Sequence, residues 1–346
     1  MESFNAAVLV KNNKPLKFCK LKLKKLDANQ VLVKILYSAF CSSQYGEISG
    51  IKGKDLFLPH CLGHEASAKV VEVGEKVSKV KKNDLVVLHW MKSSGSETGG
   101  IKFDSKDSLK PINAGQITTF SEYSIISENR LTKIPKKKFN SKILPLMGCS
   151  LPVAISTLEK ILNIRLGKKI LIIGGGALGL PMIHYCKKMS LSNIDVIEIR
   201  KKAIKKSKIF GSTKVYKNMN DNNLISNLKN NFYDYIVDTT GSSKLLSQIL
   251  QYPSKGKIVL VGVPKFNEKL AINTLKLNYG LRLIGSYGGD FSPQEDLLRY
   301  LTFFVKTKFN FNEYIDRTYN LKNINKLVKD YKNNKIFGKA IIKVNN

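Results

Sequence analysis

Lys169-Ile170-Leu171-Ile172-Ile173-Gly174-Gly175-Gly176-Ala177-Leu178-Gly179 is the stretch whose reading decides the fold. Lys169 to Ile173 reads as a strand buried on both faces. Leu180-Pro181-Met182-Ile183-His184-Tyr185-Cys186 can open a helix, because Pro181 lies near the first turn, where a missing N–H costs little. A G-x-G-x-x-G between such elements has definite duties. Gly174 allows a tight turn, Gly176 lets the backbone approach a pyrophosphate, and Gly179 lets helix and strand pack closely. The free N–H groups at the helix start receive the phosphate charge.

Glycine-rich turns occur in many folds, so the second half of the pattern matters. Roughly twenty residues on, Ile194-Asp195-Val196-Ile197-Glu198 reads as another strand ending in a carboxylate. Glu198 there accepts hydrogen bonds from ribose hydroxyls and repels a 2′-phosphate, which favours NAD over NADP. Arg200, Lys201 and Lys202 follow at once and would hold a 2′-phosphate if Glu198 turned away.

A chain of 346 residues has room for about two domains with separate cores. No apolar run reaches the ~20 residues of a membrane helix, and Met1 to Val10 has no basic stretch leading into a hydrophobic block, so no secretion signal is expected. Five scattered cysteines suit a reduced cytoplasm, with some thiols free and others on metal. The formal charge of +32 invites a nucleic-acid reading, but only six of the 58 basic residues are Arg. The Lys are spread along the whole length, and the clusters Lys136-Lys137-Lys138 and Lys201 to Lys208 read as solvated faces. Specific nucleic-acid binding is not expected.

The first 135 residues read mainly as strands: Ala6 to Val10, Val31 to Tyr37, Ala68 to Val73, Leu85 to Trp90 and Thr118 to Ile126. Met91 to Gln116 reads as an irregular loop. From about Leu151 strands alternate with helices. The strands are Ile170 to Ile173, Ile194 to Ile199, Lys214 to Tyr216, Tyr235 to Asp238, Ile258 to Val261 and Leu283 to Ser286, with helices such as Ser156 to Leu162 and Lys244 to Leu250 between them. The tail reads as helices at Gln294 to Val305 and Ile324 to Tyr331 and a strand at Ala340 to Val344. The fold class is therefore α/β, with a doubly wound parallel sheet at 151–286 inserted in a β-rich catalytic domain built from 1–150 and 287–346.

Cys41, His64 and Cys149 form the next constellation. Their spacings of 23 and 85 residues carry no weight alone, and each residue has a plain reading as a buried thiol or structural imidazole. Local context is more informative: Cys41 follows a strand, Gly63-His64-Glu65 precedes one, and Gly148-Cys149 leads into the nucleotide domain. Two thiolates and an imidazole leave a fourth zinc position open for substrate.

These segments, with Val70-Val71-Glu72-Val73-Gly74, the glycine-rich turn and Gly262-Val263-Pro264, make the chain resemble zinc-dependent medium-chain alcohol dehydrogenases over nearly its whole length. The resemblance implies a GroES-like catalytic domain, one catalytic zinc on Cys41, His64 and Cys149, and Glu65 beside the metal. It implies that Val261, Val263 and the Gly285–Tyr287 segment hold the nicotinamide amide, that Trp90 lines the substrate pocket, and that Lys339 meets the pyrophosphate; otherwise Lys339 is one more surface lysine. Relatives of this kind are commonly dimers or tetramers.

The chain also departs from the family pattern. Met91 to Gln116 lacks the cysteines of a structural zinc lobe, so no structural zinc is expected. Gln44 stands where the family has Asp, Gly46 where a relay His is expected, and Pro152-Val153 where a Thr pair is common. Ser43 still matches the hydroxyl that takes the alcohol proton. The implied reaction moves a hydride between a primary or secondary alcohol, including a polyol, and NAD, with the metal acidifying the hydroxyl. The rivals are a metal-free reductase of the same fold acting on activated double bonds, and a non-enzymatic binding protein.

Overall fold

The computed structural model describes residues 2–135, 139–252 and 255–345; the lysine cluster Lys136-Lys137-Lys138 lies outside them. The contacts divide the chain into two compact units. One comprises Met1–Ser150, Ser292–Thr302 and Ile315–Asn346, the other Leu151–Phe291 and Phe303–Tyr314.

The second unit carries a six-stranded parallel sheet. Its spatial order is Lys214–Tyr216, Asn193–Ile197, Lys169–Ile173, Tyr235–Asp238, Gly256–Leu260, Leu281–Gly285. Numbered along the chain this is 3-2-1-4-5-6, the doubly wound order, and the order reverses beside Lys169–Ile173. That strand is central because it is apolar on both faces: Ile170, Leu171, Ile172 and Ile173 are all buried, as parallel pairing beneath helices requires. Leu171 and Ile173 pack with Ile197, Tyr216, Ile236 and Ile258 into one core.

The tail divides between the units, whereas the sequence reading gives 287–346 wholly to the catalytic part. Residues 303–314 belong to the nucleotide unit because of their rings. Phe309 lies against Phe304, Phe210 and Tyr314, and His184 packs edge-on to Phe309 at 5.1 Å between centroids. The Tyr314 hydroxyl donates to the Ala177 carbonyl at 2.6 Å, inside the glycine-rich turn.

The first unit holds two sheets. In the larger, the central strand Gln30–Phe40 pairs antiparallel with Ala66–Val73, with Tyr123–Ser127 and with the C-terminal strand Lys339–Lys343. Ala340 stands opposite Phe40, so the chain's last strand borders the turn that carries Cys41. The smaller sheet runs Lys17–Lys22, Ser3–Leu9, His60–Cys61, Ile112–Gly115, Ile101–Phe103. The last two strands fall in the stretch read as irregular loop. Phe103 and Ile112 are fully buried against Phe4 and Leu21, and two such anchors hold short strands that polar, glycine-rich flanks conceal. The expected strand Thr118 to Ile126 starts only at Tyr123, because Thr119 and Phe120 donate their N–H groups to the Leu62 carbonyl instead. Among the described residues no helix is long and apolar enough to cross a membrane.

Candidate functional site

Cys41 follows the central strand directly and is the N-cap of the helix Ser42–Ser49. His64 and Glu65 lie between His60–Cys61 and Ala66–Val73. Gly63 before them has φ +93°, and a Cβ there would sit 2.2 Å from Thr119 Oγ1, so only glycine turns the chain tightly enough to present His64. Cys149 arrives through a similar constraint. A Cβ on Gly148 would meet the Leu88 carbonyl at 2.3 Å and Glu65 Cβ at 2.7 Å. Glycine at 148 is what lets the two segments touch.

These turns bring together residues far apart in sequence. One ligand atom each from Cys41, His64, Glu65 and Cys149 lies within 4.8 Å of the others. The charge distribution is that of a cation site. A hydrogen bond from Cys149 holds the Cys41 thiol well below its ordinary range; burial opposes this, and the Lys339 charge and a hydrogen bond from His64 assist it. Cys149 is pushed well above the ordinary range by sharing that hydrogen bond and by burial. Burial raises the Glu65 carboxyl, against the pull of Lys339, and Glu65 Oε2 is buried without a hydrogen-bond partner. Two thiols sharing a proton, an imidazole and a half-satisfied carboxylate form a donor set that fits a thiophilic divalent ion such as zinc.

Lys339 is not a surface lysine. Its side chain is 2 % exposed, and its ammonium donates to Glu65 Oε1 and to the Phe40 carbonyl, the latter at 3.2 Å. The sequence reading treats Glu65 and Lys339 separately; only the pairing of the terminal strand with Gln30–Phe40 joins them. Ser43 is half-buried in the first helical turn after Cys41. Trp90 lies just past the strand Leu85–Leu88, and its carbonyl accepts from Arg130 Nη1.

In the nucleotide unit, Gly174 has φ +99° and a Cβ on Gly179 would lie 2.0 Å from the Gly174 carbonyl oxygen. Glycine is therefore a steric necessity at both positions. Beside Gly176, a Cβ would approach nothing nearer than Arg200 Nη2 at 3.5 Å, which leaves the open backbone a phosphate needs. Glu198 is nearly fully buried. Its Oε2 accepts from Gly175 N–H at 3.0 Å and from Arg200 Nη2 at 2.8 Å, and its Oε1 from the Ile199 and Arg200 N–H groups at 2.9 Å. Burial raises its carboxyl, but Arg200 outweighs that and holds it below the ordinary carboxylate range. Val261 and Gly262 donate their N–H groups to the Asp238 carbonyl at 2.9 and 3.0 Å, and Val263 is largely exposed.

Comparison with known proteins agrees with this architecture. Residues 27–136 match the alcohol dehydrogenase GroES-like domain and residues 177–306 the zinc-binding dehydrogenase domain. The chain belongs to the zinc-type medium-chain dehydrogenase/reductases. A class-3 alcohol dehydrogenase of Zea mays is 26% identical over 351 residues, covering 92% of this chain and 91% of the relative. The solved benzyl alcohol dehydrogenase of Acinetobacter calcoaceticus shares the fold with TM-score 0.86, at 22% identity and full coverage of both chains. An alcohol dehydrogenase zinc-binding domain protein of Burkholderia ambifaria does so with TM-score 0.88, at 20% identity and 99% coverage of each. This medium-chain dehydrogenase/reductase is an oxidoreductase acting on CH–OH groups.

Proposed function

We propose that the chain is a zinc-dependent alcohol dehydrogenase that uses NAD, oxidising a primary or secondary alcohol to an aldehyde or ketone. The observation that carries this reading is the convergence of Cys41, His64, Glu65 and Cys149 within 4.8 Å. Cys41, His64 and Cys149 would hold one catalytic ion per chain, and Glu65, fixed by Lys339, would stand at its side. When bound, the metal supplies Lewis acidity that lowers a hydroxyl's pKa, and the dinucleotide supplies the hydride acceptor.

The chain's own residues then divide the work. Ser43, two residues after Cys41, takes the alcohol proton; with glycine at 46, the proton leaves through water. Trp90 forms a wall of the substrate pocket, its backbone held by Arg130. Gly174, Gly176 and Gly179 seat the pyrophosphate, and Val261 and Val263 lie at the nicotinamide end. Glu198, ionised and fixed beneath Gly175, receives the adenosine ribose and repels a 2′-phosphate. An oligomer fits the sheet's outer strand Leu281–Gly285, flanked by the exposed apolar side chains of Leu275, Leu277 and Tyr279.

Metal analysis with an NAD-linked alcohol screen tests the reading, and light scattering tests the oligomer. One zinc per chain and NADH production lost on chelation are the expected results. Full activity in metal-free protein would refute the mechanism in favour of a metal-independent reductase.

A further inference from the structure

Gln44 is a buried amide on the helix after Cys41, and none of the roles above uses it. Its Oε1 accepts the Gly63 N–H, a group that can only donate. That contact assigns both ends of the amide, so Nε2 is the atom 3.0 Å from His64 Nδ1. An amide NH₂ donates and cannot accept. Nδ1 is therefore the acceptor, and a proton on the ring sits on Nε2.

With Nδ1 turned to Gln44, Nε2 is the ring nitrogen left for the cluster with Cys41 and Cys149. A metal ion needs a lone pair, which a protonated Nε2 does not offer. Loading moves the proton to Nδ1, opposite a group that cannot accept it. Turning the amide over would satisfy Nδ1 but would set NH₂ against the Gly63 N–H. Gly63 has no freedom to adapt, since Thr119 and Phe120 crowd it. In either arrangement one buried donor faces another, whereas a carboxylate of the same size would accept from both.

We propose that Gln44 holds His64 in the Nε2–H tautomer and so lowers the metal affinity of this centre, making position 44 the residue that sets how tightly it is loaded. The proposal rests on reading Cys41, His64 and Cys149 as ligands. Gln44 is a positioning residue, acting through His64.

The test uses metal-free full-length protein with ¹⁵N-labelled histidine, the His64 signal being identified by its loss in His64→Gln. The ring proton is expected on Nε2 in the native protein and on Nδ1 in Gln44→Glu. Zinc dissociation constants, from competition with a chromophoric chelator, should be about tenfold or more tighter for Gln44→Glu. A native ring with its proton on Nδ1 overturns the proposal, even if the variant fails to fold. So does a tighter constant with an unchanged tautomer, which added charge alone would explain, and so does an unchanged constant. Zinc uptake by neither protein would sink the ligation reading, while the native tautomer is judged without metal.

Discussion

Replacing Lys339 by Met should destabilise the first unit sharply, and the size of the effect follows from the burial of its partner. Glu65 is fully buried, Lys339 is 2 % exposed, and the pair links segments 274 residues apart. Met fills nearly the same space, so packing changes little and the loss is electrostatic. Removing one partner of a buried pair typically costs about 3–5 kcal/mol, because the remaining charge is left without compensation. Glu65 can escape only by taking up a proton, which its burial already favours. Against a typical total of about 5–15 kcal/mol this is a large fraction.

The assay is urea denaturation of chelator-treated protein for Lys339→Met, Glu65→Gln and the double variant. The double variant should recover at least about 2 kcal/mol of the summed single losses, since removing both charges leaves no orphan. Strict additivity of the two losses would refute the argument, showing that Lys339 is held by packing and the Phe40 carbonyl alone.

Gly179→Ala places a Cβ 2.0 Å from the Gly174 carbonyl oxygen, so dinucleotide affinity measured by fluorescence titration should fall about tenfold or more as the turn opens. Glu198→Gln removes the charge that repels a 2′-phosphate while Arg200 stays, so the ratio of NADP to NAD affinity should rise about tenfold in the same titration. His89 is buried neutral, accepting from Thr132 Oγ1 and donating to the Met91 carbonyl, and burial lowers its pKa to about 4. The unfolded chain, with the ordinary value near 6.5, binds this proton first. The contribution is therefore complete above about pH 6.5 and is lost progressively as pH falls towards 4, on the order of 3 kcal/mol in all. Urea midpoints of the native protein and His89→Gln at pH 7 and pH 4.5 check this, and the variant should show the smaller drop.

Much of this molecule is legible in the order of its residues. Lys169 to Gly179 announces strand, turn and helix because local sterics dictate each: an apolar run, a left-handed glycine at 174 and a contact at 179 that excludes any Cβ. Six strands in the second unit follow from periodicity and punctuation, which are local properties. Cys41, His64 and Cys149 were visible as candidates, but the family likeness supplied most of their weight, since spacings of 23 and 85 residues say nothing about proximity.

Tertiary structure alone decided what surrounds them. The antiparallel register of Ala340 with Phe40 carries Lys339 to Glu65, and no local pattern distinguishes that lysine from the other 51. Phe103 and Ile112 form strands because distant side chains cover them, and Gln44 acquires its hold on His64 only where two turns meet. The physical reason is the same in each case. Local conformation is governed by neighbours along the chain, whereas burial, ion pairing and the choice of tautomer depend on groups that folding brings from elsewhere.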